Sequence, residues 1–414
     1  MESRFLRFVN LWTVGTIALY YFGSISWVGR ASINVGAYTL GCLLAYNIGF
    51  RLAVPRSSMP RFEGLVPANA LVARLVVSAY ALASLWYLYE ITGRNATQLD
   101  SYSLDFGAVY AAYQEAIKSL DVSSMLGAVI LLKGVLFPLA LAIVVSRFRR
   151  DRILLFIFSV PFLLSSLFRG TDFETIDLAV TFIVCMWLYG RLSRARVFVI
   201  AVITIGTLEL FLLRRISRFG GSLPSCLPDG GACFNFQSAT ATHLGAQFDI
   251  LKVFLTNYVT NGYQGLDYAF RFPWTPNWGF GHLPALGQTV CSRFGTCPSS
   301  NYSTVLTEAG WDAQNRWTSA YTVLANDLSW WLVPVWMLLL GMVSRQMLSN
   351  WRECQDPLAC AGLVMVSLFW VYSSANMHIG LTLDLSLATV CFIYAYPVLI
   401  LLRRSSRGGV HEGA

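Results

Sequence analysis

The chain has 414 residues, 56% of them hydrophobic and only 13% charged, with a mean hydropathy of +0.55. Soluble domains run near a quarter charged, and no protein core absorbs this much apolar surface, so the composition excludes an ordinary soluble enzyme and requires lipid. The net charge of +8 would suggest a nucleic-acid partner in a soluble chain, but here the arginines sit in short segments between apolar runs, so no nucleic acid is expected.

A spanning helix needs about 20 mostly apolar residues. Such runs lie near 8–28, 31–54, 71–92, 124–146, 153–168, 175–190, 197–213, 329–347, 358–377 and 380–402. They predict an all-α, polytopic membrane bundle of about ten transmembrane helices, one domain over 1–414. The first run follows Arg4 and Arg7 with no small-residue cleavage site after it, so it reads as a retained span rather than a leader.

Orientation follows from Lys and Arg in short loops. With the N-terminus inside, every cytoplasmic segment is basic: Arg4 and Arg7; Arg51, Arg56 and Arg61; Arg147, Arg149, Arg150 and Arg152; Arg191, Arg194 and Arg196; Arg345 and Arg352; Arg403, Arg404 and Arg407. Both termini are then cytoplasmic. Two outer segments stand out. Residues 93–122 carry Phe106, Val109, Tyr110, Tyr113, Ile117 and Leu120 at helical spacing, which predicts an interfacial amphipathic helix. Residues 214–328 form a large, partly helical outer loop, too long for a simple connector.

Four of nine cysteines fall in that loop, as Cys226 with Cys233 and Cys291 with Cys297. Disulfides persist outside the cytosol, so these read as two local staples with open connectivity. Zinc is the rival, but the spacing of the pairs is not that of zinc motifs. No metal or other cofactor is expected.

Charge at the membrane is expensive and marks function by default. Arg169, Asp172, Glu174 and Asp177 crowd the turn between the fifth and sixth runs. They make either a self-neutralising turn or an arginine that holds an anion. Arg214, Arg215 and Arg218 break the positive-inside trend where the seventh run ends. They read as lipid anchors or as a pyrophosphate site, since guanidinium pairs bidentately with phosphate. His243, His282, Asp249, Asp267 and Asp312 are candidate bases in the loop. Asp327 stands just before the eighth run with Arg316, Trp317 and Tyr321, and His378 and Asp384 occupy the last outer turn. Lys133 and Glu209 lie within runs and either pair or snorkel. The chain has no phosphate-binding glycine loop, zinc-protease motif, nucleophile elbow or Asp-x-Asp pair, which argues against ATP chemistry and nucleotide-sugar transfer.

Together, the layout, the Ser166-Leu167-Phe168-Arg169-Gly170 turn, the arginines opening a late outer loop, and Trp317-Thr-Ser-Ala-Tyr321-Thr-Val-Leu-Ala-Asn-Asp327 before a span through Leu340-Gly341 resemble the Wzy-type oligosaccharide repeat-unit polymerases. Members often follow the aspartate with Phe-Gly, where this chain has Leu328-Ser329-Trp330. The resemblance implies a metal-independent glycosyltransferase of the membrane GT-C type. It would polymerise undecaprenyl-pyrophosphate-linked oligosaccharides into O-antigen or exopolysaccharide at the periplasmic face of a bacterial inner membrane, with room for a chain-length regulator protein as partner. An O-antigen ligase and a lipid-linked saccharide flippase or transporter are the alternatives. In that reaction Arg169, Arg214, Arg215 and Arg218 would hold pyrophosphate. His243, Asp172 or Asp327 would take the acceptor proton. Trp274, Trp278, Trp311, Trp317 and Tyr321 would stack on sugars.

Overall fold

The computed structural model describes residues 2–23, 25–27, 32–53, 66–67, 69–93, 109–110, 112–113, 115, 124–190, 232–234, 243–273, 281–294, 302–308, 311, 318–400 and 402. Among these the chain is helical, apart from one two-stranded ribbon. The elements run α1 (Glu2–Phe22), β1 (Ile25–Trp27), α2 (Ile33–Leu52), α3 (Ala70–Thr92), α4 (Ser124–Arg147), α5 (Arg152–Arg169) and α6 (Phe173–Leu188). They continue with β2 (Ala232–Phe234), α7 (His243–Ala269), α8 (Pro284–Phe294), α9 (Tyr302–Glu308), α10 (Ala320–Ala325), α11 (Leu332–Cys354) and α12 (Pro357–Tyr372). A short 3-10 turn (His378–Gly380) leads into α13 (Leu383–Thr389), which continues through a π turn (Val390–Ala395) to Ile400.

Among the described residues six helices are long and apolar enough to cross a membrane: α2, α3, α4 from Met125, α5, α11 and the Leu383–Ile400 helix. Leu11, Leu82, Phe156 and Leu339 stand exposed on helix surfaces, as lipid-facing residues must. The chain is a multi-pass helical membrane protein. α1, whose first two turns carry Glu2, Arg4 and Arg7, and the 16-residue α6 and α12 match three further expected runs in position, but α1 is too polar and the other two are too short to count with the six. The 197–213 run lies outside the described residues.

Local chemistry sets the helix ends. Asp151 accepts from the Leu154 amide at 3.1 Å and starts α5, and Asp356 accepts from Leu358 to start α12. α12 is buried on nearly all sides, which suits its apolar circumference and puts it at the centre of the bundle. α2 and α11 approach at backbone contact. A Cβ on Gly49 would meet the Leu338 carbonyl at 1.9 Å, and one on Gly341 would meet the Tyr46 carbonyl at 2.2 Å. Small residues allow such contact between membrane helices.

The two ends of the bundle differ. At one end Arg345 and Arg352 both bond Glu2, Arg74 pairs with Asp151 at 2.9 Å, and Arg147 donates to the Pro67 carbonyl. The other, here the Arg169 end, gathers the C-termini of α5 and α12, the N-termini of α6, α11 and α13, and the 3-10 turn. Within 214–328, the described α7, α8, α9 and α10 account for the expected helical content. β1 pairs antiparallel with β2, Ser26 opposite Cys233, and so ties this region back to the segment after α1. Of the expected interfacial helix only 109–110, 112–113 and 115 are described; they are helical, with Val109 and Tyr113 buried.

Candidate functional site

The α5–α6 turn is closed by Gly170 at φ 62°, whose amide bonds the Leu167 and Ser166 carbonyls. That left-handed step turns the chain back and sets Arg169 beside Glu174, one residue into α6. Arg169 bonds Glu174 and the Tyr113 hydroxyl, and its guanidinium lies 4.6 Å from the Tyr113 ring centre. Thr171 donates to the second Glu174 oxygen at 2.7 Å. Among the described residues Arg169 Nε is buried with no hydrogen-bond partner. This is the self-neutralising arrangement of the two expected for the turn. Asp172 precedes α6 without a side-chain cap bond.

One turn further along α6, Asp177 accepts from Tyr372 at 2.7 Å and lies 3.4 Å from His378 Nε2. The His378 ring stacks on Phe173, centroids 4.6 Å apart. Lys133 pairs with Asp384 at 2.8 Å; Glu209 lies outside the described residues. Lys133 is nine residues into α4, about 13 Å along its axis. The Asp177–His378 and Lys133–Asp384 pairs were not expected as pairs. The available signal was ionisable residues inside apolar runs.

The second centre is Asp327 with His282. Asp327 stands between α10 and α11. Its Oδ1 accepts from the Gly281 amide at 2.9 Å. Its Oδ2 accepts from the His282 amide at 2.8 Å and meets His282 Nδ1 as well. Asn326 completes the clamp by donating to the Gly281 carbonyl at 3.0 Å. Burial acts to raise the Asp327 pKa, but the bonds from His282 and the two amides outweigh it and hold the carboxyl below its usual range. An ionised Asp327 leaves the proton of a neutral imidazole on Nδ1. Nε2 then carries the lone pair. That Nε2 is buried and, among the described residues, without a hydrogen-bond partner.

His282 borders a cavity walled by Leu324, Trp336, Phe369, Ile379, Ile393 and Tyr394. Phe369 comes from α12, Ile379 from the 3-10 turn, and Ile393 and Tyr394 from the π turn. Pro397 lacks an amide proton and its ring crowds the carbonyl of residue 393, which favours the wider turn before it. The 3-10 turn touches both centres. His378 faces Asp177, and a Cβ on Gly380 would meet the His282 carbonyl at 2.9 Å.

The other expected residues scatter. His243 opens α7, far in sequence from the α8 approach that holds His282, and its side chain lies outside the described residues. Tyr321 is wholly buried against Tyr38, in the core rather than on a sugar-facing wall. Trp311 is buried and stacks on Tyr268. Arg214, Arg215, Arg218, Trp274, Trp278, Trp317, Cys226 and Cys297 lie outside the described residues. Cys233 is described only as part of β2. Cys291 is disulfide-bonded, as expected of the loop cysteines. Cys42, Cys185 and Cys360 are buried thiols.

The arrangement can take a proton from a hydroxyl at His282 Nε2 and store the resulting charge against Asp327. No protein-family model, curated protein or solved structure matches the chain. The fold defines a multi-pass helical membrane protein, and the functional reading rests on its own residues.

Proposed function

We propose that the chain is a membrane glycosyltransferase of the Wzy-type polymerase class, built on about ten spans. It would join polyprenyl-pyrophosphate-linked oligosaccharide repeat units at the non-cytoplasmic face. The observation that carries this reading is the His282–Asp327 dyad, whose lone-pair nitrogen is buried beside a cavity at the Arg169 end. Transfer to a sugar hydroxyl needs a proton acceptor, and this is the best-built acceptor among the described residues. The dyad replaces His243 as the leading base and gives Asp327 the role of orienting the ring. Gathering of arginines at the opposite end supports the orientation.

Pyrophosphate needs preorganised positive charge as the glycosidic bond breaks. The described cluster sets two cations, Arg169 and Lys133, against three acids, Glu174, Asp177 and Asp384. It has little positive charge to spare. The reading therefore assigns the main anion contact to Arg214, Arg215 and Arg218, with Arg169 holding the turn.

The test is reconstitution. Purified protein in lipid vesicles, given lipid-linked repeat units, should yield a ladder of lengths. His282→Ala at equal protein level should yield none. An undiminished ladder in that variant refutes the assignment, and no ladder from the natural chain refutes the polymerase reading. A single transfer onto a lipid A-type acceptor would point to a ligase. One observation favours a carrier instead: Lys133, nine residues into α4, pairs with Asp384 on a helix interrupted by a π turn. Movement of labelled lipid-linked saccharide across the vesicle bilayer without bond formation would decide for that reading.

A further inference from the structure

We infer that the cavity beside His282 is the site of one internal water, and that the imidazole exchanges its proton with the acceptor hydroxyl through that water. The relay rests on the transferase reading above; the water site does not.

The cavity measures about 10 Å³, about the volume of one water-sized sphere. A hydroxyl with its carbon is too large for it. No sugar oxygen therefore reaches Nε2 while the cavity keeps this size, and the dyad meets a substrate only across something that fits.

Much of the wall is apolar, from Leu324, Phe369, Ile379 and Ile393. Three residues on it carry groups that bind water. His282 Nε2 is buried and, among the described residues, without a hydrogen-bond partner, so it accepts. Thr389 gives its own proton to the Leu385 carbonyl at 2.9 Å and keeps lone pairs on its oxygen. Tyr394, edge-on to the His282 ring with centroids 5.6 Å apart, has a phenolic proton to give.

A buried water holds its place with about two to four hydrogen bonds. Here it donates one proton to Nε2 and the other to Thr389 Oγ1, and it accepts from the Tyr394 hydroxyl. It also relieves Nε2 of the cost of a buried polar atom left unpaired. Both protons of the water are then used, and one lone pair remains.

That lone pair receives the acceptor hydroxyl. In transfer the acceptor O–H bond breaks and its proton passes to the water, while a proton of the water passes to Nε2. The acceptor oxygen bonds the donor's anomeric carbon as the C–O bond to pyrophosphate breaks, and the pyrophosphate leaves with the electron pair. The water is regenerated, and the imidazolium is held against Asp327. A general base can work through one water as well as by direct contact. Thr389 and Tyr394 are positioning residues in this scheme: they orient the water and touch no substrate.

The experiment is high-resolution electron cryomicroscopy of the full chain in lipid nanodiscs, with transfer of a synthetic polyprenyl-pyrophosphate-linked repeat unit measured on the same preparations. A water peak is expected about 2.9 Å from Nε2. Its absence from a map that shows other internal waters overturns the inference, whether or not the protein transfers saccharide. Thr389→Val keeps the volume and removes an acceptor, and Tyr394→Phe removes the donor. Each should weaken the peak and lower kcat about 2–10-fold with KM unchanged. Thr389→Ser keeps the hydroxyl and should recover most of the rate. Melting in detergent identifies which variants are folded, and two positions guard against the failure of one. Wild-type kcat in both folded variants overturns the relay, and so does a loss in Thr389→Ser as large as in Thr389→Val, which would mark a packing effect. A natural chain that yields no product removes the transferase reading and the relay with it, while the peak still decides the water site.

Discussion

Asparagine at position 327 keeps the shape of the aspartate and removes one of its acceptors. In the native chain two carboxylate oxygens serve three donors: the Gly281 amide, the His282 amide and His282 Nδ1. An amide side chain has one oxygen and one NH₂. If its oxygen faces His282, the Gly281 N–H is left against another donor, costing about 1–3 kcal/mol of stability. If its nitrogen faces His282, the His282 N–H is orphaned and the side chain donates to Nδ1. The ring proton then moves to Nε2, which stops accepting. Either way the charge that stabilises the imidazolium is gone. Asp327→Asn should therefore melt lower in detergent and transfer about 10²–10⁴-fold more slowly, the range a positioned base contributes. The dyad acts as a unit, so adding the change to His282→Ala should cost little further rate. Transfer is measured on lipid-linked repeat units, with thermal unfolding of the same preparations. Activity within about threefold of wild type in a folded Asp327→Asn protein, a free-energy change well under 1 kcal/mol, would refute the reasoning.

Arg169→Ala leaves Glu174 buried beside Tyr113 and Thr171 without its cation; the melting experiment should show a loss of about 3 kcal/mol, largely recovered when Glu174→Gln is added. Gly341→Ala should cost about 1–3 kcal/mol by forcing α11 off the Tyr46 carbonyl, and Gly341→Val should abolish accumulation of the protein, both read from detergent-extracted yield and melting. The pH dependence has a definite sign. Asp327 is held below its unfolded value of about 3.9, so its contribution is fully present above that value and is lost as pH falls through the lower folded one. The melting difference between wild type and Asp327→Asn should not shrink from neutral pH to about 5 and should shrink below about 4; a difference that closes near neutrality would show that another group controls it.

The bundle was legible because lipid imposes a length and a composition on each span. Arg152–Arg169 and Leu332–Cys354 fall where apolar runs of sufficient length stand, and the turn at Gly170 follows from a residue that tolerates a left-handed step. Hydropathy alone located α6 at its 16-residue length, shifted by two positions, and overestimated α12, whose expected run to 377 ends at Tyr372 because the residues beyond fold into a polar turn. The candidate site was legible by residue type and not by partner. Asp327 was singled out for standing before a span, and His282 for being a histidine in a folded loop. Nothing local joins two residues 45 positions apart; the bond depends on where the fold brings the segment before α8 against the one after α10. The Gly49–Leu338 and Gly341–Tyr46 contacts were hidden for the same reason. A glycine in an apolar run looks the same whether it faces lipid or a neighbouring backbone.

The π turn at 390–395 has a consequence for how this helix tolerates change. Each residue advances a helix by about 100°, so a single surplus residue resets the angular phase of everything after it. Before the offset, Thr389 faces the cavity; beyond it, Tyr396 points to Asp356 and Asn350 at the far end of the bundle, at 2.9 and 2.7 Å. One rod thus meets two partners that a regular helix would present on different sides. Removing one residue between 391 and 395 would straighten the helix yet unhook Tyr396 from Asp356. Its apparent regularity would be gained by misaligning the far end, so length along this stretch is as constrained as residue identity.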